Sequence, residues 1–318
     1  MNVLLWHVHG SWATSFVHGA DTYLLPVDAE RSPDGRGRAQ TWQWPASARE
    51  VAVPRLRHED VDVVVLQRPR ELDLLTEWTG LRAGADVPAV YVEHDTPRGP
   101  AADTRHVLAD REDITLVHVT AFNAVMWNNG RAPVRVIEHG IPDPGPLWSG
   151  ERSRVAAVVN EPMRRWRIAG TDVLIELARR LPAEVYGAGV EELAPHVPGE
   201  TVLAGDRPQE ALHRDLAGAR AYLHPYRWTS LGLALVEAMT IGMPVLALAA
   251  TAAPEAVPPS AGVVSSDPDV LAAAARRWLA DPAEARPFGD AARRRALERF
   301  GLDRFLSDWH DLLQEVTR

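Results

Sequence analysis

A lone carboxylate in an apolar run is the most informative feature of the sequence. Glu237 stands in Leu231-Gly-Leu-Ala-Leu-Val-Glu-Ala-Met-Thr-Ile, where the positions three and four away are Leu233, Ala234, Thr240 and Ile241. None of these is cationic, so no i±3 or i±4 neighbour offsets the charge. A carboxylate on such a helix is costly unless it finds good donors. A ribose diol offers two O–H donors at the spacing of two carboxylate oxygens; a helix edge open to water is the alternative. Upstream, Thr229 and Ser230 are good N-cap residues. They open an expected helix running to Gly242, a C′ glycine, with Pro244 stopping its continuation. A strand ending at His224-Pro225 feeds this helix. That arrangement puts free backbone N–H groups and the positive end of a helix dipole at the carboxyl edge of a sheet, which suits a diphosphate. Gly232 has no side chain, so a ligand can approach the backbone there.

Histidines come next. His94 and Asp95 close the run Tyr91-Val-Glu-His-Asp and should project where a strand ends; a local capping group is the plainer reading. His7 and His9 alternate on the first strand as metal ligands might, but no third ligand of sensible spacing accompanies them, so no metal is expected.

These groups must be positioned by elements. Short β-rich runs alternate with helical patterns throughout, which predicts α/β architecture with parallel sheets. In the first half the expected strands are 3–8, 61–66, 89–92, 114–119 and 134–137. The segment from Ala29 to Val51, polar and rich in Gly, Pro and Arg, reads as an irregular excursion. Three prolines and two glycines in Ile141-Pro-Asp-Pro-Gly-Pro-Leu-Trp-Ser-Gly-Glu mark a linker. The chain therefore divides into a domain over 1–147, a second over 148–301 and a terminal helix over 302–318. In the second half strands are expected at 155–159, 183–186, 201–203, 221–223 and 245–247. Helices are expected at 171–180, 209–219, 230–241, 268–280, 282–300 and 302–316.

Composition bounds the function. At 318 residues the chain is long enough for two cores, and its 46% apolar and 24% charged content is that of a globular protein. A net charge of −9 argues against broad nucleic-acid binding. Cysteine is absent, which removes thiol chemistry and suits the reducing cytoplasm. The opening MNVLLWHVHG lacks the basic start of a signal peptide, and no apolar run is long enough to span a bilayer; peripheral membrane contact stays open. All 34 basic residues are arginine, so any side-chain clamp on phosphate must be a guanidinium.

The run Glu237-Ala-Met-Thr-Ile-Gly-Met-Pro-Val resembles the signature of the retaining glycosyltransferases of family 4, the "glycosyl transferases group 1", which have the GT-B fold. Their pattern pairs two glutamates separated by seven residues, the second within EAM-x-x-G-x-PV. The resemblance implies two Rossmann-like domains facing across a cleft, with the C-terminal helix crossing back to the first domain. It implies that Glu237 binds the donor's ribose and that the backbone of Ser230, Leu231, Gly232 and Leu233 lies against sugar and phosphates. The first glutamate of the pattern falls on Thr229, a departure at a residue that normally contacts the donor sugar. Val159-Asn-Glu-Pro-Met-Arg-Arg-Trp-Arg-Ile-Ala-Gly-Thr-Asp-Val-Leu is similar to the segment whose Arg and Lys neutralise the diphosphate. Arg164 takes the arginine position and Ala169 the lysine position, with Arg165 and Arg167 near enough to replace the missing charge. Gly10 resembles a remnant of the glycine-rich loop after the first strand, and His94 falls where the family places a histidine on the acceptor side.

The resemblance implies transfer of a hexose-like sugar from a nucleotide-diphosphate sugar to an unidentified acceptor, with retention and without a metal or other cofactor. Catalysis would involve His94 and Thr229; the donor would be bound by Gly10, Arg164, Arg167, residues 230–233 and Glu237. A non-catalytic sugar-nucleotide-binding or partner subunit and a sugar-nucleotide epimerase are the alternatives on this fold.

Overall fold

The computed structural model describes residues 1–40 and 42–318. It divides into two compact units, Met1–Gly140 with Leu302–Arg318, and Ile141–Gly301.

The first unit begins with β1 (Asn2–Leu5), α1 (Gly10–Phe16), β2 (Thr22–Val27), β3 (Ala48–Ala52) and β4 (Val63–Leu66). It continues with α2 (Arg70–Thr79), β5 (Ala89–Glu93), β6 (Thr115–His118), α3 (Ala121–Met126) and β7 (Val134–Val136). The strands form one sheet in the order β3-β2-β1-β4-β5-β6-β7, every neighbouring pair parallel. A parallel sheet is covered on both faces, so its central strands read as unbroken apolar runs. Val63–Leu66 is one, with all four residues buried. Alternate side chains leave on opposite faces: Leu4, Leu24, Val64 and Leu66 join one core. Val3, Leu5, Val63, Val65, Val90 and Val92 join the other.

The second unit holds β8 (Arg152–Val158), α4 (Thr171–Ala178), β9 (Ala183–Tyr186), β10 (Val202–Gly205), α5 (Gln209–Ala217) and β11 (Ala219–His224). It continues with α6 (Leu233–Thr240), β12 (Val245–Leu248), α7 (Ala253–Ala256), β13 (Gly262–Ser265), α8 (Pro268–Ala280) and α9 (Pro282–Phe300). The strand order β10-β9-β8-β11-β12-β13, again all parallel, is the doubly wound order, reversing between β8 and β11. The helix starts are chemically plain where a cap exists. Asp267 accepts from the Asp269 N–H at 2.9 Å and Asp281 from the Ala283 N–H at 2.8 Å, each followed by proline at the first helical position.

Helix α10 (Leu302–Val316) returns to the first unit. Its buried stripe of Phe305, Trp309, Leu312 and Leu313 packs in the core that holds Trp12 and Phe16 of α1. Arg304 donates to the carbonyls of Glu138 and His139 at 3.0 and 2.6 Å, tying the helix to the chain that leaves β7.

Several expectations are corrected. Strands β2 and β3 were not foreseen, and β3 ends the excursion of 29–51; Thr41 within it lies outside the described residues. Pro26 sits inside β2 and Arg49 and Glu50 inside β3, residue types that normally demote a strand. Arg49 and Glu50 are tolerated because β3 is the sheet edge, where charge is favoured over apolar surface. Pro26 lies beyond the pairing of β2 with β1, which ends at Leu24, so its missing N–H breaks no bond in that ladder. The unit division falls after Gly140 rather than after Leu147. The proline-rich segment is bound to the second unit: the Ile141 N–H donates to the Phe300 carbonyl at 2.9 Å, and Asp143 pairs with Arg293 at 2.7 Å. Helix α6 begins at Leu233, so neither Thr229 nor Ser230 caps it. Gly232 precedes it in an extended conformation, and Ser230 is buried with its carbonyl accepting from the Ala252 N–H at 3.4 Å. Among the described residues no helix is long and apolar enough to cross a membrane.

Candidate functional site

In an open parallel sheet, ligands bind at the carboxyl ends of the strands where the order reverses. In the second unit that place is the junction of the loops after β8, β9 and β11. Gly170, at φ +68, ends the first loop against the third: a Cβ there would stand 1.8 Å from the Pro225 carbonyl oxygen. The N–H groups of Arg227 and Trp228 donate to the Ile168 carbonyl at 3.0 and 3.2 Å. On the other side the Glu161 N–H donates to the Ala188 carbonyl at 2.7 Å, and Gly187, at φ +124, packs on the Val159 carbonyl. Three loops are thus fixed by backbone bonds and by glycines that no other residue replaces without strain. Gly170→Ala is expected to cost the second unit more than about 2 kcal/mol, since the clash with the Pro225 carbonyl adds to the cost of a left-handed non-glycine residue. Denaturant unfolding measures this, and an unchanged midpoint would remove Gly170 from the account.

Glu237 is the fifth residue of α6 and 4% exposed. Its partners come from α5. Gln209 Nε2 donates to Oε1 at 2.9 Å, and His213 Nε2 stands 3.5 Å from Oε2, buried and without hydrogen-bond geometry to any partner. Among the described residues the carboxylate therefore has one hydrogen-bond donor for about four lone-pair sites. Part of the compensation that the sequence assigned to a ligand is supplied by α5. Sequence reasoning missed both partners, although their four-residue spacing, which places Gln209 and His213 on one helix face, was there to be read.

Along the segment before Glu237, Ser230 and Leu231 are buried, while Thr229, Gly232, Leu233 and Ala234 are partly exposed. The first N–H groups of α6 are those that a helix leaves without internal partners. The side of Gly232 that lacks a side chain is filled by His224, whose Cε1 would lie 2.7 Å from a Cβ. The missing side chain of this glycine makes room for a neighbouring ring.

The arginines lie in the loop after β8 but are already paired. Arg164 is exposed and bound to Glu161, its Nε donating at 2.9 Å. Arg167, also exposed, donates to Asp172 at 2.5 Å, and Arg227 of the loop after β11 donates to the same carboxylate at 2.8 Å. Arg165 instead lies over the Tyr226 ring, 5.6 Å from its centroid. Arg165, Asp172, Tyr226 and Arg227 were not singled out together by the sequence, since contacts between two loops leave no periodic trace. Ala169, at the position of the expected lysine, is fully buried.

The remaining candidates are in the first unit, at the same edge of its own sheet. His94 follows β5, is 9% exposed, and its ring lies 3.9 Å from that of His9 and edge-on to Trp12 at 5.3 Å. It does not project freely. Burial holds its pKa well below the ordinary value, with His9 and His139 pushing the same way. Gly10 begins α1 instead of standing in a loop, and Trp42 packs on it, 2.1 Å from where a Cβ would be. Its missing side chain therefore makes room for an indole. Among the described residues no group of three or more His, Asp or Glu side chains is placed to hold a metal ion.

Buried histidines give the protein a pH signature. Burial lowers the pKa of His139 and of His224 to about 3, and that of His118 to about 4. Unfolded histidine titrates near 6.5, so as pH falls the unfolded chain takes up protons before the folded one. Stability is complete above the unfolded value and is lost as pH falls towards the folded values. The melting temperature is expected to fall already between about pH 6.5 and 5, before most carboxylates protonate. A flat profile across that interval would contradict the burial of these rings.

Two Rossmann-like parallel-sheet domains in one chain define the GT-B class of fold. The chain matches sucrose-phosphate synthase from Thermosynechococcus elongatus with a TM-score of 0.73 at 15% identity, covering 99% of this chain and 98% of that one. It matches HepE from Anabaena, in complex with UDP and glucose, with a TM-score of 0.72 at 16% identity, covering 99% and 100%. Residues 193–295 match the family model of the Glycosyl transferases group 1, over the segment that contains Gln209, His213, the 229–233 turn and Glu237. The chain is also 31% identical, over 47% of its length, to the MMP alpha-(1->4)-mannosyltransferase of Mycolicibacterium hassiacum; the match spans 40% of that relative's length.

Proposed function

We propose that the protein is a glycosyltransferase that moves a sugar from a nucleotide-diphosphate sugar to an acceptor, with retention at the anomeric carbon and without a metal. The observation that carries this reading is Glu237: a buried carboxylate with one hydrogen-bond donor among the described residues, in the segment that matches group 1, on the helix whose start, at residues 232–234, is partly exposed. The nucleoside's ribose diol supplies donors that Gln209 and His213 leave wanting, and the diphosphate takes the first N–H groups of α6. Thr229 meets the donor sugar where the family pattern has a glutamate. Arg164, Arg165 and Arg167 supply positive potential from the loop after β8, releasing their present carboxylate partners where they have them. His94 orients a hydroxyl. The leaving phosphate accepts the acceptor's proton, so the protein contributes position and charge stabilisation rather than a strong base.

The complexes of HepE with UDP and UDP-glucose support a uridine donor as the first to try. A second reading, a sugar-nucleotide-binding subunit without turnover, is favoured by two positions: Thr229 for the first glutamate, and the buried Ala169 for the lysine.

Incubating the purified chain with UDP-, GDP-, ADP- and TDP-sugars and candidate acceptors separates the readings. Nucleotide release coupled to an α-linked product from an α-linked donor supports transfer with retention. Binding without turnover supports the second reading, and interconversion of the donor supports an epimerase. No binding of any sugar nucleotide overturns all three.

A further inference from the structure

His94 is held by a side chain whose own orientation is fixed from its far end. Gln67 follows β4 and is 5% exposed. Its Nε2 donates to the Trp6 carbonyl at 2.8 Å. A carbonyl only accepts, so the NH2 end of the amide faces Trp6 and Oε1 faces the other way. Oε1 stands 3.1 Å from His94 Nε2. An amide oxygen also only accepts, so the proton of the neutral imidazole belongs on Nε2, and Nδ1 is left as the ring's acceptor. Gln67 is itself pinned: Glu71, fully buried, accepts its N–H at 2.6 Å and that of Arg68 at 3.2 Å. The Arg68 side chain closes this loop by donating to Glu71 at 2.7 Å.

We infer that Gln67 is a positioning residue that fixes His94 in the Nε2–H tautomer, so that His94 presents a hydrogen-bond acceptor to a hydroxyl of the sugar substrate and not a donor to a phosphate. The neighbours agree with an uncharged ring, since the groups facing it are His9, His139 and Trp12, none of them a carboxylate. The part of this inference that concerns substrate rests on the transferase reading; the tautomer does not.

Long-range nitrogen–proton correlation spectra of the full chain with labelled histidine read the tautomer directly, the His94 signals being those lost in His94→Gln. At neutral pH the wild type is expected to show a protonated Nε2 and a bare Nδ1. Gln67→Met, similar in shape but without the acceptor, is expected to shift the ring towards a mixture or the opposite tautomer. Gln67→Glu, which keeps an acceptor oxygen, is expected to keep Nε2 protonated. An Nδ1–H tautomer or an imidazolium in the wild type overturns the inference, as does an unchanged tautomer in folded Gln67→Met. In turnover, Gln67→Met is expected to lower kcat about tenfold, the rate equivalent of one hydrogen bond, with KM for the nucleotide sugar nearly unchanged. A shifted tautomer with unchanged kcat overturns the functional half alone. The spectra need no substrate, so failure of the transferase reading is distinguishable from failure of this one.

Discussion

Glu237→Gln is expected to weaken nucleoside diphosphate binding by about 1–3 kcal/mol, roughly five- to 150-fold in Kd. The replacement keeps the shape of a side chain that is 4% exposed, and its amide oxygen can still accept from Gln209 Nε2. What it loses is charge and acceptor capacity: the second carboxylate oxygen becomes an NH2 group beside His213 Nε2, now 3.5 Å from Oε2. A ribose diol that donates to two carboxylate oxygens meets one acceptor and one competing donor instead. The fold is expected to survive, because removing a buried charge offsets the lost attraction. Calorimetric titration with UDP and GDP, beside a melting curve, checks both halves. Equal affinity in a folded variant would remove Glu237 from the binding site.

Trp309→Ala is expected to destabilise the first unit by about 3–5 kcal/mol, the usual range for emptying a buried aromatic site. Trp309 is 2% exposed, and its ring stands 5.0 Å from Phe16, 5.6 Å from Trp12 and 6.3 Å from Phe305. That aromatic cluster is what docks α10 in the first unit. The second unit has its own core, built around residues such as Val155, Leu174, Val185 and Trp278. Denaturant unfolding of the variant is therefore expected to show an early transition that the wild type lacks. A Trp309→Phe variant, which refills most of the space, should lose much less. An unfolding curve for Trp309→Ala that superimposes on the wild type would contradict the packing of α10.

Helices with chemical punctuation were legible in the sequence. Pro268–Ala280 and Pro282–Phe300 each open with Asp-Pro, and Leu302–Val316 shows its apolar stripe at helical spacing. The irregular start of α6 was not legible: Thr229 and Ser230 have capping chemistry, but the helix begins only at Leu233, after an extended Gly232 against which His224 packs. Edge strand β3 was hidden by its charged residues and β2 by Pro26, because local propensity yields to pairing when a neighbouring strand supplies the bonds. The site divides the same way. Glu237 stood out because a charge in an apolar helix is a local anomaly. Gln209, His213, Gln67 and the shared Asp172 did not, because each matters through a partner on another element, as Gln209 does through Glu237, 28 residues away, and Asp172 through Arg227, 55 residues away.

Hydrogen–deuterium exchange of the full chain, with and without a saturating nucleoside diphosphate, tests the central claim most directly. Slowed exchange is expected in the loop at residues 160–170 and across residues 226–237, where the diphosphate and ribose are placed. Protection confined to other segments, or none at a ligand concentration that saturates binding, would contradict it.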